Sequence, residues 1–144
     1  MENTQDKVVP LATELEMLRE VIAMSAAQIT PPYVILASPD NVDALLIMPR
    51  LIVCLAENMY KHGDLTKAEY PGLIRIEHHL NNLKITTKNL ISLNRCSDGF
   101  NSGMENLRKR LTCTYRNGAT IDTWNDGMFF EVRVVIEYKP INST

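Results

Sequence analysis

Between Ala44 and Ala56 eleven of thirteen residues are apolar, and only Pro49 and Arg50 interrupt the run. A helix apolar on nearly every side has to be surrounded by the rest of its chain. The stretch from Ser38 to Gly63 therefore constrains the fold more than any other. Its ends carry helix signals. Ser38 suits an N-cap, Pro39 the first helical position, and Asp40 adds negative charge to the first turn. Lys61 and His62 fall in the last turn, and Gly63 follows as a stop. The sequence thus predicts a buried central helix over about 39–62, kinked at Pro49 or broken there into two shorter helices, 39–48 and 50–62.

The remaining elements are read against this one. Leu11, Leu15, Leu18, Ile22, Ala26 and Ile29 form one stripe at helical period, which predicts a first helix over about 10–29. Thr30–Pro31–Pro32 ends it, and Tyr33 to Ala37 reads as a short buried strand. The 3-4-3 spacing of Leu73, Ile76, Leu80 and Leu83 predicts a third helix over about 71–84. The period is lost over 85–93, which is compatible with helix or strand, and 94–103 is rich in turn formers. Leu111, Cys113 and Tyr115 alternate with polar residues ahead of Asn117–Gly118, a strong hairpin signal. A second strand to Trp124, a turn at Asn125–Gly127 and a long strand from Met128 to Lys139 follow. The expected fold is α+β and two-layered, with N-terminal helices (about 10–29, 39–62, 71–84) packed on a C-terminal antiparallel meander (about 107–139).

A chain of 144 residues with 45% hydrophobic content can bury one core, so residues 1–144 are expected to form one domain with flexible ends at 1–9 and 140–144. Three separated cysteines without a CxxC pair argue against a disulfide framework and a zinc ribbon. No basic start or apolar h-region suggests a secretion signal. The 38–63 stretch is too short in its apolar part, and carries Arg50 at its middle, for a membrane span. These features lead to an expectation of a soluble cytoplasmic protein with no membrane partner.

Motifs for chemistry are scarce. His62 closes the central helix, and His78 and His79 sit side by side, where helix geometry would keep them from converging. No metal site, catalytic residue or cofactor is expected from the spacing, and there is no phosphate loop or nucleophile elbow. For an enzyme, His78, His79 and Cys96 are the least unfavourable residues. Charge is uneven. Residues 75–116 carry eight basic and three acidic side chains inside a chain of net charge -2. Lys84, Lys88, Arg95, Arg108, Lys109, Arg110 and Arg116 are therefore candidates for binding nucleic acid or another anion. The expected element order resembles that of a winged-helix domain, in element order alone.

Phe129 and Val135 lie on the strand face assigned to solvent, so they are candidate interface residues. Taken together, the sequence favours a non-catalytic interaction or assembly protein that associates with itself or another protein, with viral or phage origin suggested by its Asn and Met usage. Nucleic-acid binding through 75–116 and a small enzyme of unknown class are the alternatives.

Overall fold

Helix α2 (Leu51–His62) is enclosed by the rest of the chain in the computed structural model, which describes residues 8–93 and 97–138, with the backbone alone for 97–102. Seven of its residues, Leu51, Ile52, Val53, Leu55, Ala56, Met59 and His62, are buried. It packs against α1 (Leu11–Ala26), α3 (Ser97–Tyr115) and the sheet. Two short strands, β1 (Val9–Pro10) and β3 (Leu46–Ile47), pair antiparallel beside it. The main sheet holds β2 (Val34–Ala37), β4 (Gly63–Asp64), β5 (Gly72–His79), β6 (Asn82–Ile91), β7 (Ala119–Asn125) and β8 (Phe129–Glu137). Its order is β2-β5-β6-β8-β7, with β4 joined to β6. The β2–β5 pair is parallel and the other pairs are antiparallel.

Register explains the layering. Ile76 is opposite Ile85, Ile85 opposite Val134, and Val134 opposite Ile121, so one row of buried side chains crosses four strands. This face meets Leu55, Met59, Leu107 and Leu111 in a single core cluster. The class is α+β, as expected, and α1, β2, β7 and β8 fall close to their predicted places. Among the described residues no helix is long and apolar enough to cross a membrane.

The element order differs from the expectation in three places. The central helix does not span 39–62: the chain breaks at Pro49, as one alternative expected, and α2 (Leu51–His62) takes the place of the second shorter helix, 50–62, while no helix forms over 39–48. Pro49 lacks an N–H and its ring would strike the carbonyl four residues earlier, so a helix does not run through it. The apolar residues ahead of it are used instead in β3 and the turns around it, with Val42, Ile47 and Met48 buried. The predicted third helix, 71–84, is the β5–β6 hairpin. Ile74 and Ile76 are buried on one strand, Leu83 and Ile85 on the next, and the apparent 3-4-3 spacing arises from two period-2 patterns joined across a turn. The undecided stretch 85–93 continues β6 as far as Ile91.

The third correction concerns the first strand of the meander. Residues 107–115 lie in α3, where Leu107, Leu111 and Tyr115 recur every four residues toward the core while Cys113 is exposed. Asn117–Gly118 belongs to a 3-10 turn (Arg116–Gly118) that leads into β7 instead of joining two strands. With 71–84 in strands, the winged-helix comparison loses its recognition helix. Of the ends expected to be flexible, Val9 pairs with Ile47, and 1–7 and 140–144 lie outside the described residues.

The segment before α2 is held by side chains from α1, from α3 and from the residue that follows β8. The Glu14 carboxylate of α1, 1% exposed, accepts the Arg50 N–H at 2.8 Å, where Arg50 adopts φ 66°. The Tyr115 hydroxyl accepts the Met48 N–H at 2.6 Å, and the Tyr138 hydroxyl donates to the Leu46 carbonyl at 2.6 Å. Burial pushes the Tyr115 phenol up to about 12, opposed by the Met48 N–H and reinforced by the negative charge of Glu14. Burial also raises Tyr138.

Two outcomes follow for stability. Because the folded Tyr115 holds its proton to higher pH than an unfolded tyrosine, its contribution is complete below pH 10 and is lost as pH climbs from about 10 toward 12. Tyr115→Phe should flatten that alkaline slope in urea unfolding and, by leaving the Met48 N–H without an acceptor, cost about 1–3 kcal/mol at neutral pH. Gly63 sits where the chain passes from α2 into β4. A Cβ there would lie 2.6 Å from Asn89 Nδ2 and 2.7 Å from the Met59 carbonyl. Gly63→Ala should therefore lower stability by about 1–3 kcal/mol in the same assay.

Candidate functional site

One side of α2 is polar along its second half. Glu57 and Asn58, and Lys61 one turn later, recur at helical spacing on the side that does not face the sheet. Across from them, α3 presents Gly103, Asn106 and Arg110 at the same kind of spacing. The two helices enclose a cavity of about 290 Å³ lined by these six residues together with Cys54, His62, Met104 and Leu107. Leu107 and His62 are buried, whereas Glu57, Lys61 and Arg110 are exposed at the mouth.

Arg110 connects the two walls. Its Nη2 donates to the Pro49 carbonyl at 2.8 Å, and Nη1 lies 3.6 Å from Cys54 Sγ. Glu57 is 3.6 Å from Arg50 in a solvent-exposed pair, a weak tether. The cleft therefore offers carboxylate and amide oxygens on one wall and cationic groups near both walls. Such a set suits a ligand with a metal-bound anionic part. Among the described residues no three His, Cys, Asp or Glu side chains gather to cage a metal ion unaided.

Among the described residues, those singled out from the basic segment do not form one patch. Arg110 lines the cleft. Arg108 donates to the Ile121 carbonyl at 3.0 Å, Lys109 is exposed on α3, and Arg116 adopts φ 57° in the turn after it. Lys84 and Lys88 stand on the sheet face away from the helices, Lys84 beside Glu77 at 3.6 Å and Lys88 4.9 Å from the centre of the Phe129 ring. Arg95 and Cys96 lie outside the described residues. Phe129 also meets Tyr70 edge-to-face at 5.6 Å, and Val135 is half-buried on the same sheet face. His78 and His79 end β5 and have no part in the cleft.

Glu57, Asn58, Lys61 and Asn106 were not anticipated from the sequence. The signal for the first three was present, since they are the polar residues on the C-terminal half of an otherwise apolar helix. Asn106 was hidden by assigning its neighbours to a strand.

No protein-family model and no curated sequence matches the chain. Its fold does match solved structures. The histidine kinase AdeS of Acinetobacter baumannii superposes with a TM-score of 0.67 at 11% identity, covering 93% of this chain and 68% of that one. The catalytic domain of the histidine kinase ThkA gives 0.61 at 15% identity, covering 93% and 97%. Full-length ShkA, solved in complex with AMPPNP, gives 0.64 at 12% identity, covering 90% of this chain and 31% of that one. At such identities the likeness is one of fold. It corrects the expectation of a non-catalytic, viral-type assembly protein, and with it the expectation that the chain is no enzyme. The fold is that of histidine kinase catalytic domains. Of the alternatives read from the sequence, the small enzyme is the one this finding favours.

Proposed function

We propose that the chain is the nucleotide-binding catalytic domain of a histidine-kinase-type enzyme, and that it binds ATP in the cleft between α2 and α3. The observation that carries this reading is the polar stripe Glu57–Asn58–Lys61 facing Asn106 and Arg110 across a cavity, on a fold shared with kinase catalytic domains. The ShkA complex supports an adenine nucleotide as the ligand of that neighbour, and here the same class is inferred.

The chemistry of the walls is consistent with it. Mg²⁺ is held in phosphate sites by one or two protein oxygens plus phosphate oxygens and water. Glu57 Oε and Asn58 Oδ1 are hard oxygen donors of that kind. When bound, such a cation neutralises the phosphates. Lys61 and Arg110 supply further positive charge, and Met104 and Leu107 an apolar wall. At about 290 Å³ the cavity is small for a whole nucleoside triphosphate, so the outer phosphates would lie toward solvent, accessible to a phosphoryl acceptor. Catalysis of phosphoryl transfer rests on such positioning and electrostatic stabilisation. We take the acceptor to lie outside this chain, which covers 31% of full-length ShkA. ATP as substrate would also support a cytoplasmic location.

Isothermal titration with AMPPNP in the presence of Mg²⁺ tests the reading. One-to-one binding that weakens on chelation is expected, with Asn58→Ala reducing affinity about tenfold or more and Glu57→Gln reducing the dependence on Mg²⁺. A folded protein that takes up no AMPPNP at millimolar concentration would overturn the assignment.

A further inference from the structure

The sheet has an open stretch of edge at one corner. Strand β2 pairs with β5 only from Val34 opposite Gly72 to Ala37 opposite Arg75. Beyond that point β5 continues to His79, and among the described residues no strand lies against Ile76–His79 on the β2 side. In a strand, alternate residues direct N–H and C=O groups to each side, so this stretch presents backbone donors and acceptors to whatever occupies the edge. A groove of about 800 Å³ runs along it, bounded by Ala37–Pro39 where β2 ends and by Lys84 and Val135 on the sheet face.

The side chains around the groove are predominantly basic. Arg75, His78, His79 and Lys84 line it, against the single acid Glu77. Glu77 is already beside Lys84 at 3.6 Å. Among the described residues, the side chains of Arg75, His78 and His79 have no hydrogen-bond or ion-pair partner. The next acid in the register is Glu137 on β8, opposite Asn82, which is itself opposite His79, so it stands two strands in from the edge. An exposed strand edge gives affinity through main-chain bonds, and the side chains beside it give selectivity. Here that selectivity is for negative charge.

We propose that this groove is a docking site for an extended acidic peptide segment, which adds as a strand along Ile76–His79 and sets its carboxylates against Arg75 and His79, which share the face of β5 away from the core. The ligand's acidic residues alternate with apolar ones, because successive side chains of an added strand point to opposite faces. The Arg75 guanidinium can take a carboxylate with two parallel N–H donors. The site lies on the sheet face away from the α2–α3 cleft and is independent of nucleotide binding there.

Three labelled eight-residue peptides and the full chain provide the test, read by fluorescence anisotropy and by amide shifts in NMR spectra. The first alternates Glu and Val, the second alternates Lys and Val, and the third is the Glu–Val peptide with every second amide N-methylated. The Glu–Val peptide is expected to bind, with shifts centred on 76–79, and the Lys–Val peptide is not. Arg75→Glu combined with His79→Glu should weaken binding at least tenfold. The N-methylated peptide should lose binding to the unaltered protein, a result that does not depend on any variant folding. Equal binding of the N-methylated peptide, or displacement of the Glu–Val peptide by inorganic phosphate at equal charge, would overturn strand addition in favour of a small-anion site. Displacement by AMPPNP would overturn the independence of the two sites, and retained peptide binding in a protein that takes up no AMPPNP would leave this proposal standing while the nucleotide reading fell.

Discussion

A carboxylate inside the core holds the point at which the central helix begins, just after Pro49. Glu14 is almost fully buried, and its Oε2 takes the N–H of Arg50, the residue on which α2 starts. A helix start leaves several backbone donors without intrahelical partners, and a negative charge is favourable there. Arg50 itself sits in the left-handed region, a conformation that costs a non-glycine residue about 1–2 kcal/mol. The carboxylate from α1, the hydroxyls of Tyr115 and Tyr138, and the backbone bond from Leu11 to the Leu45 carbonyl hold the approach to α2 from several sides. Burying a carboxylate is unfavourable unless it is hydrogen-bonded, so this corner exists only as a set.

The cleft inherits its geometry from that corner. Glu57, Asn58 and Lys61 face α3 because α2 begins at Leu51 with a particular rotation, and Arg110 reaches back to the Pro49 carbonyl just before that beginning. The residue that would contact an anionic ligand thus also reports on the position of the helix carrying the opposite wall. In physical terms the site is a gap between two helices whose spacing is set by hydrogen bonds at one end and by the buried row Leu55, Met59, Leu107 and Leu111 along its length.

The parts of the fold legible in the sequence are those where one period runs undisturbed. The stripe Leu11–Leu15–Leu18 gives α1, and the alternation from Phe130 to Ile136 gives β8. The misread parts are those where two periods overlap. The β5–β6 turn contains neither glycine nor proline. Leu80 occupies a positive φ there and is largely exposed, so nothing in its chemistry announces a hairpin. In α3 the short run Leu111, Cys113, Tyr115 imitates a strand because position four and position two coincide at every fourth residue. The candidate site was legible only in part, through Arg110, for a related reason. Its residues belong to two helices, of which one was assigned too early a start and the other was assigned to a sheet.

The sheet topology also bears on how the molecule is assembled in time. β5 and β6 are neighbours in sequence and joined by a two-residue loop, whereas β6 must find β8 across the whole of α3 and β7, with Ile85 meeting Val134. Closing that long segment costs chain entropy before the pairing rewards it, and such non-local pairings slow folding. The hairpin can therefore serve as the early template, and α3 is wrapped into place by the arrival of the C-terminal strands. A chain emerging from the ribosome would complete α1, α2 and the β5–β6 hairpin while the second wall of the cleft and half of its sheet support were still unmade, so the cleft takes shape only once α3, β7 and β8 have followed.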